Sequence, residues 1–254
     1  MVEAGLQPAA IEGGSGLSQW QRISNIFSSP SKTFLDIRRG NRSWWLPLIL
    51  SIVASYLFFA VVAQKIGLEQ SVENQIRFSP KTEERMSQLT AEQRATNISI
   101  GVAITKATFI AYPAVIIAFT ALLSLGLLGT INLVFGGKAS YGGIFAVWFY
   151  AWLPQLIKSI LGIIVIFAGT APESFNLKNF APTNIGAFLD PVETNKALYA
   201  LASALDVVTI WSLILLAGGT AIVAGVKRSS GYLAVFGWWA IFVLFRVGIA
   251  AIAG

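Results

Sequence analysis

Residues 197–227 read Ala-Leu-Tyr-Ala-Leu-Ala-Ser-Ala-Leu-Asp-Val-Val-Thr-Ile-Trp-Ser-Leu-Ile-Leu-Leu-Ala-Gly-Gly-Thr-Ala-Ile-Val-Ala-Gly-Val-Lys. As a helix, a run this long and this apolar exceeds the roughly 20 residues that a bilayer core requires. One acid, Asp206, sits inside it. A carboxylate at that depth costs at least about 2.5–3.5 kcal/mol unless it is neutralised, paired or hydrated. Asp206 therefore needs a partner, and three lone cations in other apolar runs are candidates: Lys106, Lys158 and Arg246.

Composition extends the membrane reading to the whole chain. Of its 254 residues 55% are hydrophobic and 12% charged, where a soluble domain carries about 25% charge. There is no cysteine and no histidine. That removes disulfides, thiolate and imidazole metal sites, cysteine nucleophiles and Ser–His relays, so neither a metal nor a cofactor is expected. The net charge of +6 sits mostly at the ends of apolar runs, which points to a bilayer rather than to nucleic acid. The expected fold is all-α, a polytopic integral membrane bundle of five transmembrane helices.

Along the chain, residues 1–16 are rich in Gly, Ala and Ser and lack a basic start. They read as a disordered tail rather than a signal peptide. Residues 17–43 are amphipathic. Ser18 is placed to cap a helix carrying Trp20, Ile23, Ile26 and Phe27, and Ser29-Pro30 opens a second segment with Phe34 and Ile37 on one side. Trp20, Arg22, Lys32, Arg38, Arg39 and Arg42 suit a helix lying in the headgroup layer. Packing of the same segment on the protein's own loops stands as an equal alternative.

The membrane domain is expected over 44–254, with spans at about 44–64, 98–135, 141–168, 197–226 and 232–253. Polar loops fill 65–97 and 169–196. In the first loop, Ser79-Pro80 and the capping box Thr90-x-x-Gln93 predict a small helical hairpin. Pro113 predicts a tilted or kinked second span, and apolar residues in 169–196 predict a loop folded back onto the bundle. Basic short turns at Lys138 and at Lys227-Arg228 favour a cytoplasmic N-terminus and an external C-terminus.

At about 1.5 Å per residue, Lys106, Lys158, Asp206 and Arg246 all fall about 10–15 Å from the outer ends of their spans. Gln155 shares a face with Lys158, and Thr209 an arc with Asp206. Two readings follow. The six residues line a hydrated pocket for an anion or lipid headgroup, or Asp206 pairs with one cation while the others snorkel to the interface. One carboxylate without a histidine is a poor acid–base pair, so no catalytic residue and no enzymatic activity are expected.

Three stretches resemble the Yip family, five-span proteins that bind Ypt/Rab-type GTPases. They are Ile26-Phe27-Ser28-Ser29-Pro30-Ser31-Lys32-Thr33-Phe34 with Trp44–Pro47, Tyr150-Ala151-Trp152-Leu153-Pro154, and Leu205-Asp206-Val207-Val208-Thr209-Ile210-Trp211. The likeness covers nearly everything after about residue 20 and is greatest to the bacterial branch, which implies an inner (plasma) membrane protein. It implies contacts with the lipid bilayer and with other integral membrane proteins, as an accessory or scaffold subunit, for instance of an ABC exporter. No GxxxxGK[ST] loop is present to energise transport. The competing class is a small permease or lipid- and anion-binding protein using the charged pocket, with anionic lipid as a partner.

Overall fold

A computed structural model describes residues 16–253. The tail expected over 1–16 therefore lies outside the described residues, apart from Gly16. Two short helices open the chain, α1 (Gln19–Ser28) and α2 (Pro30–Arg38). The Ser18 hydroxyl accepts from the Gln21 amide while the Gln21 side chain accepts from the Ser18 amide, a complete capping box. Ser29 stands at the N-cap of α2, but its side chain makes no capping bond, and Pro30 supplies the start.

Helix α3 (Trp45–Lys65) is the first span. The polar excursion after it holds α4 (Leu68–Arg77) and α5 (Pro80–Ser87). Next comes α6 (Ala91–Gly129), extended by a π-helical turn at Thr130–Val134. The expected second helix of the polar hairpin and the expected span from residue 98 are thus a single helix. Its Thr90–Gln93 capping box forms, and the residues from Arg94 to Ile98 include no glycine or proline to stop the helix. Pro113 lies inside α6 without ending it.

The third span departs from the expected single helix over 141–168. It is α7 (Tyr141–Ala151) followed by α8 (Gln155–Phe167), interrupted at Trp152-Leu153-Pro154 because Pro154 has no amide to continue the ladder. The fourth span, expected as one helix over 197–226, is likewise two: α9 (Lys196–Ala204) and α10 (Val207–Ala224). Helix α11 (Arg228–Ala253) closes the chain and packs along both. All five candidate spans are long and apolar enough to cross a membrane, and no strand occurs among the described residues.

Helix α10 is the centre. In its apolar window 61% of residues are buried, against 6% for α11. Gly219 permits part of this packing, since a Cβ there would come within 2.7 Å of both Phe34 and Val147. Through Ile26, Phe34 and Ile37 the α1–α2 hairpin joins the main core beside Val147, Tyr150 and Leu216. The hairpin thus packs on the spans α7 and α10 rather than on loops as the alternative reading had it.

Arg22 corrects the membrane-surface assignment. It is 2% exposed, its Nε lies 3.5 Å from Asp36, and its Nη1 donates to the carbonyls of Asn41 and Ser43 at 3.0 and 3.2 Å. The guanidinium also lies 5.3 Å from the Tyr150 ring centroid. Its fork points inward because these acceptors do. Trp20, Lys32, Arg38, Arg39 and Arg42 are exposed.

At the other end the two polar loops interlock. Asn74 donates to the carbonyls of Pro172 and Phe175 at 2.7 and 2.9 Å. Lys196 donates to those of Pro191 and Phe78 at 2.5 and 3.2 Å, and its partial burial lowers its pKa. Amides of Glu193 and Val192 hold the Asp190 carboxyl below the usual carboxylate range.

Candidate functional site

The interruption of the fourth span is where the charged residues meet. Leu205 ends α9, and the chain continues as one extended residue, Asp206, before α10 begins. What fills the gap is the loop after α8. The Val207 amide donates to the Thr183 carbonyl at 2.9 Å, and Asn184 forms an isolated antiparallel bridge with Asp206. Gly186 rests so closely on Ser203 that no side chain would fit there. The amide that α9 cannot satisfy is satisfied by the loop, as buried backbone requires.

Asp206 caps α10. Its Oδ1 accepts from the Thr209 amide at 2.7 Å. Its Oδ2 accepts from the Thr183 hydroxyl at 2.6 Å and lies 3.1 Å from Lys158 Nζ. The Asp206 side chain is 3% exposed and that of Lys158 is 24% exposed, so the lysine bridges from the interior towards the surface. One turn earlier on α8, Gln155 donates to Ser212 at 3.1 Å and approaches the Thr209 hydroxyl at 3.5 Å. The cluster thus ties α8, the 179–189 loop and α10 together. Both carboxylate oxygens are engaged by protein donors, which leaves little capacity for proton transfer.

Of the six cluster residues from the sequence, four assemble: Gln155, Lys158, Asp206 and Thr209. Lys106 and Arg246 do not join them. Both are exposed, on α6 and α11 respectively, and neither makes an ion pair or a side-chain hydrogen bond among the described residues. The four-charge pocket is therefore corrected to one ion pair. Similar depth did not bring the charges together, because depth leaves the direction around each helix open.

Sequence reading passed over Thr183, Asn184 and Ser212, which complete the cluster, and Asp36, which holds Arg22. Asp36 carried a signal, being the lone acid among five bases in 17–43. Thr183 and Asn184 carried none, since a loop residue's partner across the bundle leaves no trace in spacing.

Beside the cluster, α3, α6 and α8 enclose a cavity of about 310 Å³. It is lined by aromatic rings, among them Phe58 and Trp152, and by hydroxyls such as Ser55, Tyr112 and Ser159. No charged side chain lines it. No acid cluster capable of holding a metal occurs among the described residues.

Comparison with known proteins gives one match: the Yip1 domain fits residues 24–249. The chain belongs to the Yip1-domain family. Neither the curated proteins nor the solved structures contain a match.

Proposed function

We propose that this Yip1-domain membrane protein is a non-enzymatic accessory or scaffold subunit that works through helix contacts with other integral membrane proteins, an ABC exporter being one such machine. The observation that carries this is Arg246. It is an exposed cation on α11, a span with 6% of its apolar window buried, and it pairs with no acid among the described residues. A cation on a lipid-facing helix is costly unless it snorkels or meets a partner. Lys106 on α6 repeats the pattern. The reading places the protein in a bacterial inner membrane with a cytoplasmic N-terminus, on the basic turns at Lys138 and Lys227-Arg228.

The competing reading, a permease or lipid-binding protein, would use Lys158 and Asp206 as a ligand site. It is less well supported, because their polar groups are already consumed within the fold. It keeps only the uncharged cavity beside Gln155.

The test is affinity purification in mild detergent with mass spectrometry of co-purifying proteins and lipids, for the natural chain and for Arg246→Leu. A stoichiometric membrane protein that is lost from Arg246→Leu, with the variant still folded, is the expected result. A natural chain that purifies without protein partners, carrying a defined small molecule or lipid released by Lys158→Met, would overturn it.

A further inference from the structure

Where the fourth span ends, the surface carries a cleft of about 210 Å³ with predominantly polar walls. Arg38, Arg42, Lys138 and Ser140 line it, with Ile37, Val223 and Ala224 as apolar backing. The three cations come from separate elements: the last turn of α2, the approach to α3, and the turn before α7. None of them lies within ion-pair distance of a carboxylate among the described residues. Apart from Asp36 and Asp206, every acid in the described residues falls in 65–97 or 169–196, at the opposite end of the bundle. Asp36 is spent on Arg22.

Ser140, which lines the cleft, caps α7 through the Gly143 amide at 3.2 Å, so the positive end of an eleven-residue helix starts beside it. One glycine keeps space for a guanidinium group: a Cβ at Gly225 would meet Arg38 Nη2 at 3.1 Å. Gly225 takes φ +70°, so a side chain there is strained as well. Backbone closes the floor, the Lys138 amide donating to the Ala224 carbonyl at 2.9 Å.

Three converging cations with no acid among the described residues to offset them repel one another, and an anion removes that repulsion. Two arginines and a lysine match a phosphate, whose oxygens accept bidentate guanidinium bonds. We infer that this cleft binds the phosphate of an anionic lipid headgroup. The lipid source is favoured over free phosphate by its place where α7 begins and α10 ends, the level at which apolar spans meet the headgroup layer, and by the apolar wall of Ile37 and Val223. The site lies away from the Asp206 cluster and does not depend on any protein partner.

The alternative role for Arg38 is to complement the C-terminus of α10, and for all three residues to form a diffuse positive surface. Native mass spectrometry of the full-length, delipidated protein separates these. It is titrated with phosphatidylglycerol, with phosphatidylcholine and with inorganic phosphate. Arg42→Gln and Lys138→Gln should each weaken phosphatidylglycerol binding about fivefold, and together roughly 25-fold. Lys32→Gln, which removes an exposed α2 charge outside the cleft, should leave binding unchanged. Equal weakening by Lys32→Gln, or equal retention of phosphatidylcholine, would overturn the site. Displacement of the lipid by inorganic phosphate at matching affinity would overturn the lipid source and assign a soluble anion. If the Gln variants fail to fold, amine acetylation of the natural chain gives the same answer: phosphatidylglycerol should shield Lys138 but not Lys32, and absence of shielding refutes the proposal.

Discussion

Two ion pairs with buried carboxylates, Arg22–Asp36 and Lys158–Asp206, share a chemistry and differ in what they join. The first closes a local hairpin. Its carboxylate also accepts from Leu17 N and Asn41 Nδ2 at 3.2 and 2.9 Å, all within the N-terminal segment. The second reaches across the bundle from α8 to a break in the fourth span, with Thr183 of a loop as third partner. The local pair sets the shape of a segment that docks through apolar contacts. The distant pair sets where a helix stops. A buried pair is weak evidence of added stability, since its desolvation cost offsets its attraction. Its position therefore argues for specificity of architecture.

The largest effect should come from removing the carboxylate that serves as both partner and cap. Asp206→Leu is expected to cost about 3–5 kcal/mol, as for other broken buried pairs, read as thermal unfolding in detergent. Adding Lys158→Met should recover part of that loss, because apolar replacement of both partners spares the orphaned charge. If the double variant were as unstable as the sum of the singles, the pair would not be coupled and the comparison would fail.

A smaller loss is expected at the local pair. Arg22→Met leaves Asp36 its two remaining donors, so about 1–3 kcal/mol should be lost, together with the bonds to Asn41 and Ser43. Limited proteolysis should show the loss confined to 17–43, with the α8–α10 region still protected. Global unfolding instead would mean that the hairpin is integral to the bundle rather than docked on it. Gly219→Ala probes the docking surface itself. Its Cβ would press on Phe34 and Val147, and overpacking of this kind costs about 1–3 kcal/mol. Release of α2 with both ion pairs intact is the expected signature in hydrogen exchange. No loss of stability in the isolated protein is expected for Arg246→Leu, because removing a lipid-facing cation relieves a cost rather than adding one, while partner co-purification is lost. A large loss of stability would place Arg246 in the fold.

How far the sequence could be read follows from where each residue's partner lies. The Ser18 cap and the Thr90 capping box are local, needing only residues three apart, and both form, Ser18 as a full capping box with Gln21. Pro154 stands in the third span as a local signal for its break, but the span reads as a single helix. The break at Leu205-Asp206 goes unread, because the apolar run continues on both sides of it; Asp206, a preferred N-cap residue before Val207-Val208-Thr209, is its one local signal. It exists because the Thr183 carbonyl accepts the Val207 amide that the helix would otherwise satisfy, while the Thr183 hydroxyl donates to Asp206. Arg22 looked like a surface cation for the same reason: its acceptors come from the Asn41–Ser43 turn, nineteen and twenty-one residues away.

Sequence alone determined the solvent, the five apolar spans, the absence of thiol and imidazole chemistry, and the need of Asp206 for a partner. Each of these follows from composition and run length, quantities that survive without knowledge of contacts. Tertiary structure decided which cation answers Asp206, which charges stay on the outside, and where two of the spans break. Those outcomes depend on the rotation of each helix about its axis and on the loop that meets it. Rotation is set by packing against neighbours, and no single stretch of sequence contains its neighbours.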